Sequence, residues 1–170
     1  WRQDFLITEG GWAIRPVGLD VAVRGLRTGD LRPTMIVFDD IDSHNASAAV
    51  RADNLSTIAR SILPAGTKNT IKLIAQNLIS EDSMVNQIFT GRTDVLADHI
   101  PSVYPAFEDI EIETRIDEKN GKTKHVIISA EPTWEHIDME ACQRFLNDSG
   151  LEAFYSEYQH DFSLDLQDRV

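Results

Sequence analysis

The sequence predicts an α/β fold with a mainly parallel sheet, β-hairpins and C-terminal helices. Two apolar segments of strand length are each followed by a segment with helical periodicity, an order typical of parallel strands joined by right-handed crossovers. Two glycine-containing turn signals are flanked by β-prone residues, as in hairpins. Apolar residues at helical spacing then occupy residues 137–158.

The first hairpin is predicted around Gly10-Gly11. The β-prone residues 5–7 and 12–14 flank these glycines, which tolerate the positive φ that a tight turn requires. Residues 21–23, Val-Ala-Val, are expected to extend this sheet.

The first buried strand is predicted at residues 34–38, where apolar residues follow one another without alternation. This pattern favours burial on both faces, as in the centre of a parallel sheet. Residues 43–63 predict a helix with Ser43 or Asn45 as its N-cap, closed by Pro64 and Gly66. The apolar face of that helix comprises Leu55, Ile58, Ala59 and Ile62.

The second buried strand is predicted at residues 70–75 and ends at Gln76-Asn77. A short helix is expected next, with Gly91 near its end. Its apolar residues are Met84, Val85, Ile88 and Phe89.

A second hairpin is predicted around Asn120-Gly121, between residues 110–119 and 122–130. Residues 137–150 then predict a helix that starts at an Asp138 N-cap and has Gly150 just past its end. A last short amphipathic helix is expected to contain Leu151, Phe154, Tyr155 and Tyr158.

Composition predicts one domain spanning residues 1–170 with a real core, since 42% of the residues are hydrophobic. The single cysteine, Cys142, cannot close an internal disulfide, which fits a reducing compartment, and its position predicts a structural role. The net charge of −12 argues against a general nucleic-acid or membrane binder. Residues 131–170 carry ten acidic and two basic side chains, hence −8 of that charge.

The clearest candidate for chemistry is Asp39-Asp40, directly after the first buried strand. Open α/β sheets bind ligands at the carboxyl ends of their strands. Because adjacent strand residues point in opposite directions, one carboxylate could hold Mg²⁺ and the other could orient or deprotonate a water. This is the arrangement of a Walker B strand, although a strand end that simply enters a turn can carry the same residues.

Several short motifs occur in an order that resembles the ATPase domain of large terminase subunits, which package DNA in tailed phages. They are Arg24-Gly25, Arg32-Pro33-Thr34, the strand MIVFDDID, the strand IKLIAQN with the following ISEDSMVNQI, the PTW before a helix, and the closing GLEAFYSEYQHDF. The resemblance covers almost the whole chain.

The resemblance implies a partial P-loop NTPase-like (ASCE) sheet and a role for five residues. Asp39 would act on Mg²⁺, and Asp40 would be the catalytic acid that activates water for attack on the γ-phosphate of ATP. Gln76 and Asn77 would occupy the coupling position that senses the γ-phosphate. Arg24 would contact a phosphate or a neighbouring subunit.

The phosphate-cradling motif GxxxxGK(S/T) occurs nowhere in the 170 residues. The chain therefore resembles the Walker B to C-terminal part of the ATPase domain, with the Walker A part and the nuclease domain absent, and we expect no efficient ATP hydrolysis from it alone. For the full-length protein the resemblance implies double-stranded DNA, the terminase small subunit and the portal as partners. It also implies a homo-oligomeric ring in the host cytoplasm, with no membrane.

Two other functions remain open from the sequence. A metal-dependent nuclease could use Asp39, Asp40 and Asp42, although Glu111 and Glu113 alternate with isoleucines as solvent-facing strand residues would. A non-catalytic, prophage-derived binding module is the other alternative. The five histidines show no metal-ligand spacing, and Trp134 and Tyr158 are expected to pack rather than to stack on bases.

Overall fold

The computed structural model describes residues 6–19, 30–117 and 121–162, which form a mixed α/β structure with small sheets. The strands pair as β1 (Leu6–Ile7) with β2 (Ala13–Ile14), β3 (Met35–Asp39) with β4 (Ile71–Ala75), and β5 (Phe107–Ile116) with β6 (Thr123–Pro132). The α-helices of the described residues are α1 (Ala48–Thr57), α2 (Met84–Phe89) and α3 (Met139–Phe154).

Parallel pairing is confined, in the described ranges, to β3 and β4, which align from Met35 opposite Ile71 to Asp39 opposite Ala75. The other two sheets are antiparallel. The expectation of a mainly parallel sheet is therefore wrong for this part of the chain. Both antiparallel sheets are hairpins, and the short connection of a hairpin permits only antiparallel pairing.

Both predicted hairpins are confirmed. Gly11 has φ +82° in the turn between β1 and β2, and Gly121 has φ +69° in the turn between β5 and β6. These left-handed conformations favour glycine. Asn120, the segment 21–23 and Arg24 lie outside the described residues.

The N-cap of α1 differs from both predicted residues. Ser47, rather than Ser43 or Asn45, accepts the hydrogen bond from the backbone N–H of Val50, at 3.3 Å. Ser43 instead accepts from the N–H of Asn45 in the preceding loop. The side chain of Ser43 is therefore used within the loop, and the helix begins four residues later, where Ser47 caps it.

The C-terminal end of α1 follows the prediction more closely. The helix widens into a π-helical turn, Ile58–Ile62, and ends in a 3₁₀ turn, Leu63–Ala65, next to Gly66. Ile58 is fully buried. The other predicted apolar residues, Leu55, Ala59 and Ile62, are partly buried.

The first predicted strand is not buried on both faces. Phe38 is 3% exposed, whereas Val37 beside it is 53% exposed, and Leu73, opposite Val37 on β4, is also exposed. Alternate strand residues point to opposite faces, and within the described ranges only one face of this pair is covered. A run of apolar residues predicted strand formation correctly but predicted burial wrongly.

The predicted short helix is confirmed as α2. Ser83 caps it by accepting from the N–H of Asn86, at 3.3 Å. Met84, Val85 and Ile88 are buried, and Gly91 follows the end of the helix with φ +69°.

The hairpin β5–β6 and α3 share a core of fully or almost fully buried residues. These are Phe107, Cys142, Leu146 and Phe154. Asp138 caps α3 as predicted, accepting from two amides. At Gly150 the backbone leaves helical geometry (φ +86°), which matches the predicted helix end. We call β5, β6, α3 and the following π-helical turn Tyr155–Gln159 the C-terminal layer.

Tyr158 and Trp134 each pack against another ring, as expected, but they differ in their surroundings. Tyr158 stacks on Phe154 with ring centroids 5.0 Å apart. Trp134, between β6 and α3, is 60% exposed and packs edge-on against the ring of His136.

Candidate functional site

The ends of β3 and β4 meet at one edge of the parallel pair. Asp39 lies opposite Ala75, and the N–H of Asp40 donates to the carbonyl oxygen of Ala75 at 3.2 Å. Because the strands run in the same direction and in register, the residues that follow them emerge side by side. This places Asp39 and Asp40 next to Gln76 and Asn77.

Gln76 connects the two strand ends through its side-chain amide. Its Nε2 donates to Oδ1 of Asp40 at 3.0 Å, and its Oε1 accepts from the backbone N–H of Asp42 at 3.0 Å. The amide therefore uses its donor and its acceptor at once, which fixes the orientation of the group. One carboxylate oxygen of Asp40 is held in place by this contact.

The backbone of Asp40 adopts φ +47°, in the left-handed region. Few residues other than glycine occupy this region, and aspartate is among the more tolerant ones. The conformation turns the chain sharply at the end of β3. Unusual backbone conformations of this kind are frequent at functional sites.

Asp42 has a structural environment that sets it apart from its neighbours. Its side chain is fully buried, with Oδ1 accepting from the N–H of Ser43 at 3.0 Å and Oδ2 accepting from the N–H of Val85 at 3.1 Å. The Nε of Arg51 lies 4.0 Å from Oδ1. Val85 is in the first turn of α2, where backbone amides lack helical partners. Asp42 thus joins the loop after β3 to the start of α2.

Asn77, the residue after Gln76, faces a carboxylate from the C-terminal layer. Its Nδ2 donates to Oε2 of Glu157 at 2.8 Å. The other carboxylate oxygen of Glu157 lies 3.7 Å from Nε2 of His44. Glu157 and His44 were not predicted as site residues, because no local pattern marks a contact between positions eighty residues apart.

These residues line one cleft of about 640 Å³, which we call the strand-end cleft. Its walls carry the carboxylates of Asp39, Asp40 and Glu157 and the amides of Gln76 and Asn77. His44 lies at the same opening and is the basic side chain among the described lining residues. The cleft is polar and acidic, so an anionic ligand would need a cation to accompany it.

Oxygen atoms dominate the donor set, and this is the set that Mg²⁺ prefers, usually with one or two carboxylates and several waters. Asp39 is exposed at the cleft and fits such a role. Within residues 6–19, 30–117 and 121–162, no group of three or more His, Cys, Asp or Glu side chains could hold a metal ion by itself. Asp39, Asp40 and Asp42 are therefore not assembled as a three-carboxylate metal centre, and the buried Asp42 explains why.

The acidic strand residues on β5 lie elsewhere and form local contacts. Glu113 is exposed and pairs with Arg115, whose hydrogen bond lowers the pKa of the Glu113 carboxyl group. Glu111 accepts from the hydroxyl of Ser129 on β6, at 3.4 Å. Both residues face solvent on the hairpin, as their alternation with isoleucines predicted.

Comparisons with protein-family models, with curated proteins and with solved structures gave no match for this chain. Among the described residues, no helix combines the length and the apolar character that crossing a membrane requires. The geometry of the strand-end cleft and the motifs in the sequence are thus the grounds for a functional proposal.

Proposed function

We propose that this chain is the C-terminal half of the ATPase domain of a tailed-phage terminase large subunit. In the complete protein, hydrolysis of Mg²⁺-ATP would drive translocation of double-stranded DNA into the capsid. The order of the sequence motifs from Arg24-Gly25 to the closing Glu157-Tyr158-Gln159 supports this proposal. On this view the parallel pair β3–β4 belongs to a P-loop NTPase-like sheet.

The observation that carries the proposal is the in-register parallel pairing of β3 and β4. It gathers two carboxylates and two amides at the carboxyl edge of the strands, where open α/β sheets bind ligands. The hydrogen bond from Gln76 to Asp40 adds a specific link between the two strand ends. A strand end that merely enters a turn would not require this pairing of carboxylate and amide.

The roles of the residues follow from their positions. Asp39 would bind Mg²⁺, which in such sites neutralises charge on the phosphate oxygens. Asp40 would accept a proton from the attacking water, and Gln76 would hold one oxygen of that carboxylate while the other remains available. Asn77 would complete the coupling pair, and Arg24 would contact a phosphate or a neighbouring subunit.

The sequence contains no GxxxxGK(S/T) motif, so the isolated chain has no phosphate-cradling loop of that type. We therefore expect weak binding of Mg²⁺-nucleotide and no efficient turnover. The terminase small subunit, the portal and a ring of identical subunits are the partners that this proposal assigns to the full-length protein in the host cytoplasm.

Nuclear magnetic resonance of the 15N-labelled chain at millimolar Mg²⁺-ATP tests the proposal. We expect Mg²⁺-dependent shifts of the backbone amides of Asp40 and Gln76, and their loss in Asp39→Asn. The matched control is Asp53→Asn, which changes an exposed aspartate on α1 and should retain the shifts. Equal shifts in both variants, or none in the unmodified chain, would contradict a nucleotide site at this edge.

Two activity assays test the proposal further and distinguish it from the nuclease alternative. Steady-state ATP hydrolysis by micromolar chain should not exceed that of buffer, and turnover well above buffer would contradict the predicted need for a separate phosphate-binding loop. Plasmid nicking with Mn²⁺ should be absent as well. Nicking that Asp39→Ala abolishes would favour the nuclease alternative instead.

A further inference from the structure

Glu157 lies in the strand-end cleft although it belongs to the C-terminal layer. Its carboxylate accepts from the side-chain amide of Asn77 at 2.8 Å and approaches the imidazole of His44 at 3.7 Å. Asn77 follows β4 directly, whereas Glu157 lies in the π-helical turn after α3. One side chain thus joins the C-terminal layer to the residues that follow β3 and β4 at the cleft.

The two amides that follow β4 are each held by a different carboxylate. Gln76 donates to Asp40 on the β3 side, and Asn77 donates to Glu157 on the side of the C-terminal layer. The adjacent residues Gln76 and Asn77 therefore bind carboxylates that belong to two different parts of the structure. A ligand that draws Asp40 or Gln76 toward itself therefore acts on a backbone segment that is also tied to Glu157.

The residues after Glu157 continue this connection into the hairpin. Gln159 accepts from the N–H of Phe107 at 3.0 Å through Oε1 and donates to the carbonyl oxygen of Phe107 at 3.1 Å through Nε2. The carbonyl oxygen of Tyr158 accepts from the N–H of Ala106. The start of β5 is thus held by the same turn that presents Glu157 to the cleft.

The turn that carries Glu157 is packed into the core of the C-terminal layer. Residues Tyr155–Gln159 form a π-helical turn, a wider form of helix that is frequent at functional sites. Phe154 and Tyr158 stack on each other at 5.0 Å, which anchors the turn in the core of the C-terminal layer. A displacement of Glu157 would therefore move the whole packed turn together with it.

We propose that Glu157 is a positioning residue of the strand-end cleft, which fixes the amide of Asn77 and transmits the ligand state of the cleft to the start of β5. The transmission part rests on the proposed nucleotide site. The positioning part depends only on the contact between Glu157 and Asn77, so the two can be tested separately.

The positioning role is tested without ligand by the solvent exchange of the Asn77 side-chain amide protons, measured by nuclear magnetic resonance. Loss of a hydrogen bond to a charged acceptor in Glu157→Ala should accelerate exchange about tenfold. Glu157→Gln keeps an acceptor oxygen at the same reach and should restore much of the protection, even if Glu157→Ala destabilises the fold. Glu152→Ala, at an exposed position on α3, should exchange as the unmodified chain does.

Unchanged exchange of the Asn77 amide in Glu157→Ala would overturn the proposal. Equal acceleration in Glu157→Ala and Glu157→Gln would also overturn it, because a carbonyl oxygen would then fail to replace the carboxylate. A slow rate that is lost in the alanine variant and recovered in the glutamine variant would support it.

The transmission role is tested by adding millimolar Mg²⁺-ATP to the same samples. In the unmodified chain, shifts at Gln76 should be accompanied by shifts at Gln159 and Phe107. Glu157→Ala should retain the first shift and lose the other two. Shifts that reach Phe107 equally well in Glu157→Ala would overturn transmission through this residue.

Absence of any shift at Asp40 and Gln76 in the unmodified chain would have a different meaning. It would overturn the proposed nucleotide site and, with it, transmission from that site. The positioning role of Glu157 would still be decided by the exchange of the Asn77 amide. The two proposals therefore fail in distinguishable ways.

Discussion

The C-terminal layer and the strand pair β3–β4 use their side chains in different ways. In the C-terminal layer, Phe107 and Phe154 are fully buried and stack with ring centroids 6.3 Å apart. In the strand pair, Val37 and Leu73 are exposed, and the polar residues gather at the strand ends. The first region is organised around an aromatic core and the second around hydrogen-bonded carboxylates and amides.

Large aromatic side chains are thus buried in the C-terminal layer, whereas the candidate site at the strand ends consists of polar side chains. Burial of large apolar side chains is the main favourable contribution to folding. Exposed carboxylates at strand ends contribute little to stability and remain available to a ligand. Glu157 is the point at which the two regions meet through a side-chain hydrogen bond.

Truncation of a side chain in the aromatic core should cause the greatest loss of stability. Phe154→Ala should lower the free energy of unfolding by about 3–5 kcal/mol, because it removes a fully buried ring and leaves a cavity. Val37→Ala, on the exposed face of β3, should change it by about 1 kcal/mol or less. Urea unfolding monitored by circular dichroism measures both. Similar losses in the two variants would show that the exposed face is covered in solution.

An intermediate effect distinguishes the aspartates that follow β3. Asp42→Ala should lower the free energy of unfolding by about 1.5–3 kcal/mol, because it leaves the amides of Ser43 and Val85 without their acceptor. Asp39→Asn, at an exposed position, should change stability by about 0.5 kcal/mol or less.

The same urea titrations give the values for these aspartate variants. A larger loss in Asp39→Asn than in Asp42→Ala would reverse the assignment of structural and ligand-facing roles. Arg51→Ala provides a further comparison, since it removes the cation that lies 4.0 Å from the Asp42 carboxylate.

A smaller effect is expected from pH, through the buried Cys142 in the core of the C-terminal layer. Burial raises the pKa of the Cys142 thiol, with a further contribution from the charge of Asp138. In the folded state the Cys142 thiol therefore keeps its proton at pH values at which the thiol of the unfolded chain ionises. This contribution to stability is complete below the ordinary thiol pKa of about 9 and is lost as the pH rises through the raised folded value.

Thermal unfolding between pH 8 and pH 10 measures this effect. The midpoint should decline with rising pH in the unmodified chain, and Cys142→Ala should show a shallower decline even though its absolute stability is lower. Burial also raises the pKa of Tyr158, so a second decline is expected at still higher pH. An identical slope in Cys142→Ala would exclude the thiol as its source.

Local sequence patterns predicted most of the secondary structure. Hairpin formation around Gly10-Gly11 and next to Gly121, the Asp138 cap and the break at Gly150 all depend on contacts within a few residues. Such features follow from backbone preferences and from short-range hydrogen bonds, which the sequence displays directly. The α1 cap forms at Ser47 rather than at Ser43 or Asn45, because several serines and asparagines near the helix start can accept from its free amides.

The candidate site was predicted in part. The sequence singled out Asp39, Asp40, Gln76 and Asn77, and the parallel pairing of β3 with β4 brings them to one edge. Asp42 could not be separated from its neighbours, since its burial depends on where α2 begins in space. The exposure of Val37 was missed for a related reason: whether an apolar side chain is covered depends on the elements that surround it.

Local sequence features were sufficient to predict the strands followed by carboxylates and amides, the hairpins, the helix capped by Asp138 and a cysteine suited to burial. The hydrogen bond between Asn77 and Glu157, and the burial of Asp42 beside an exposed Asp39, arise from packing between distant elements. The physical reason is the range of the interactions. Periodicity and capping act within a few residues, whereas a contact across eighty residues exists only when two independently formed elements pack against each other.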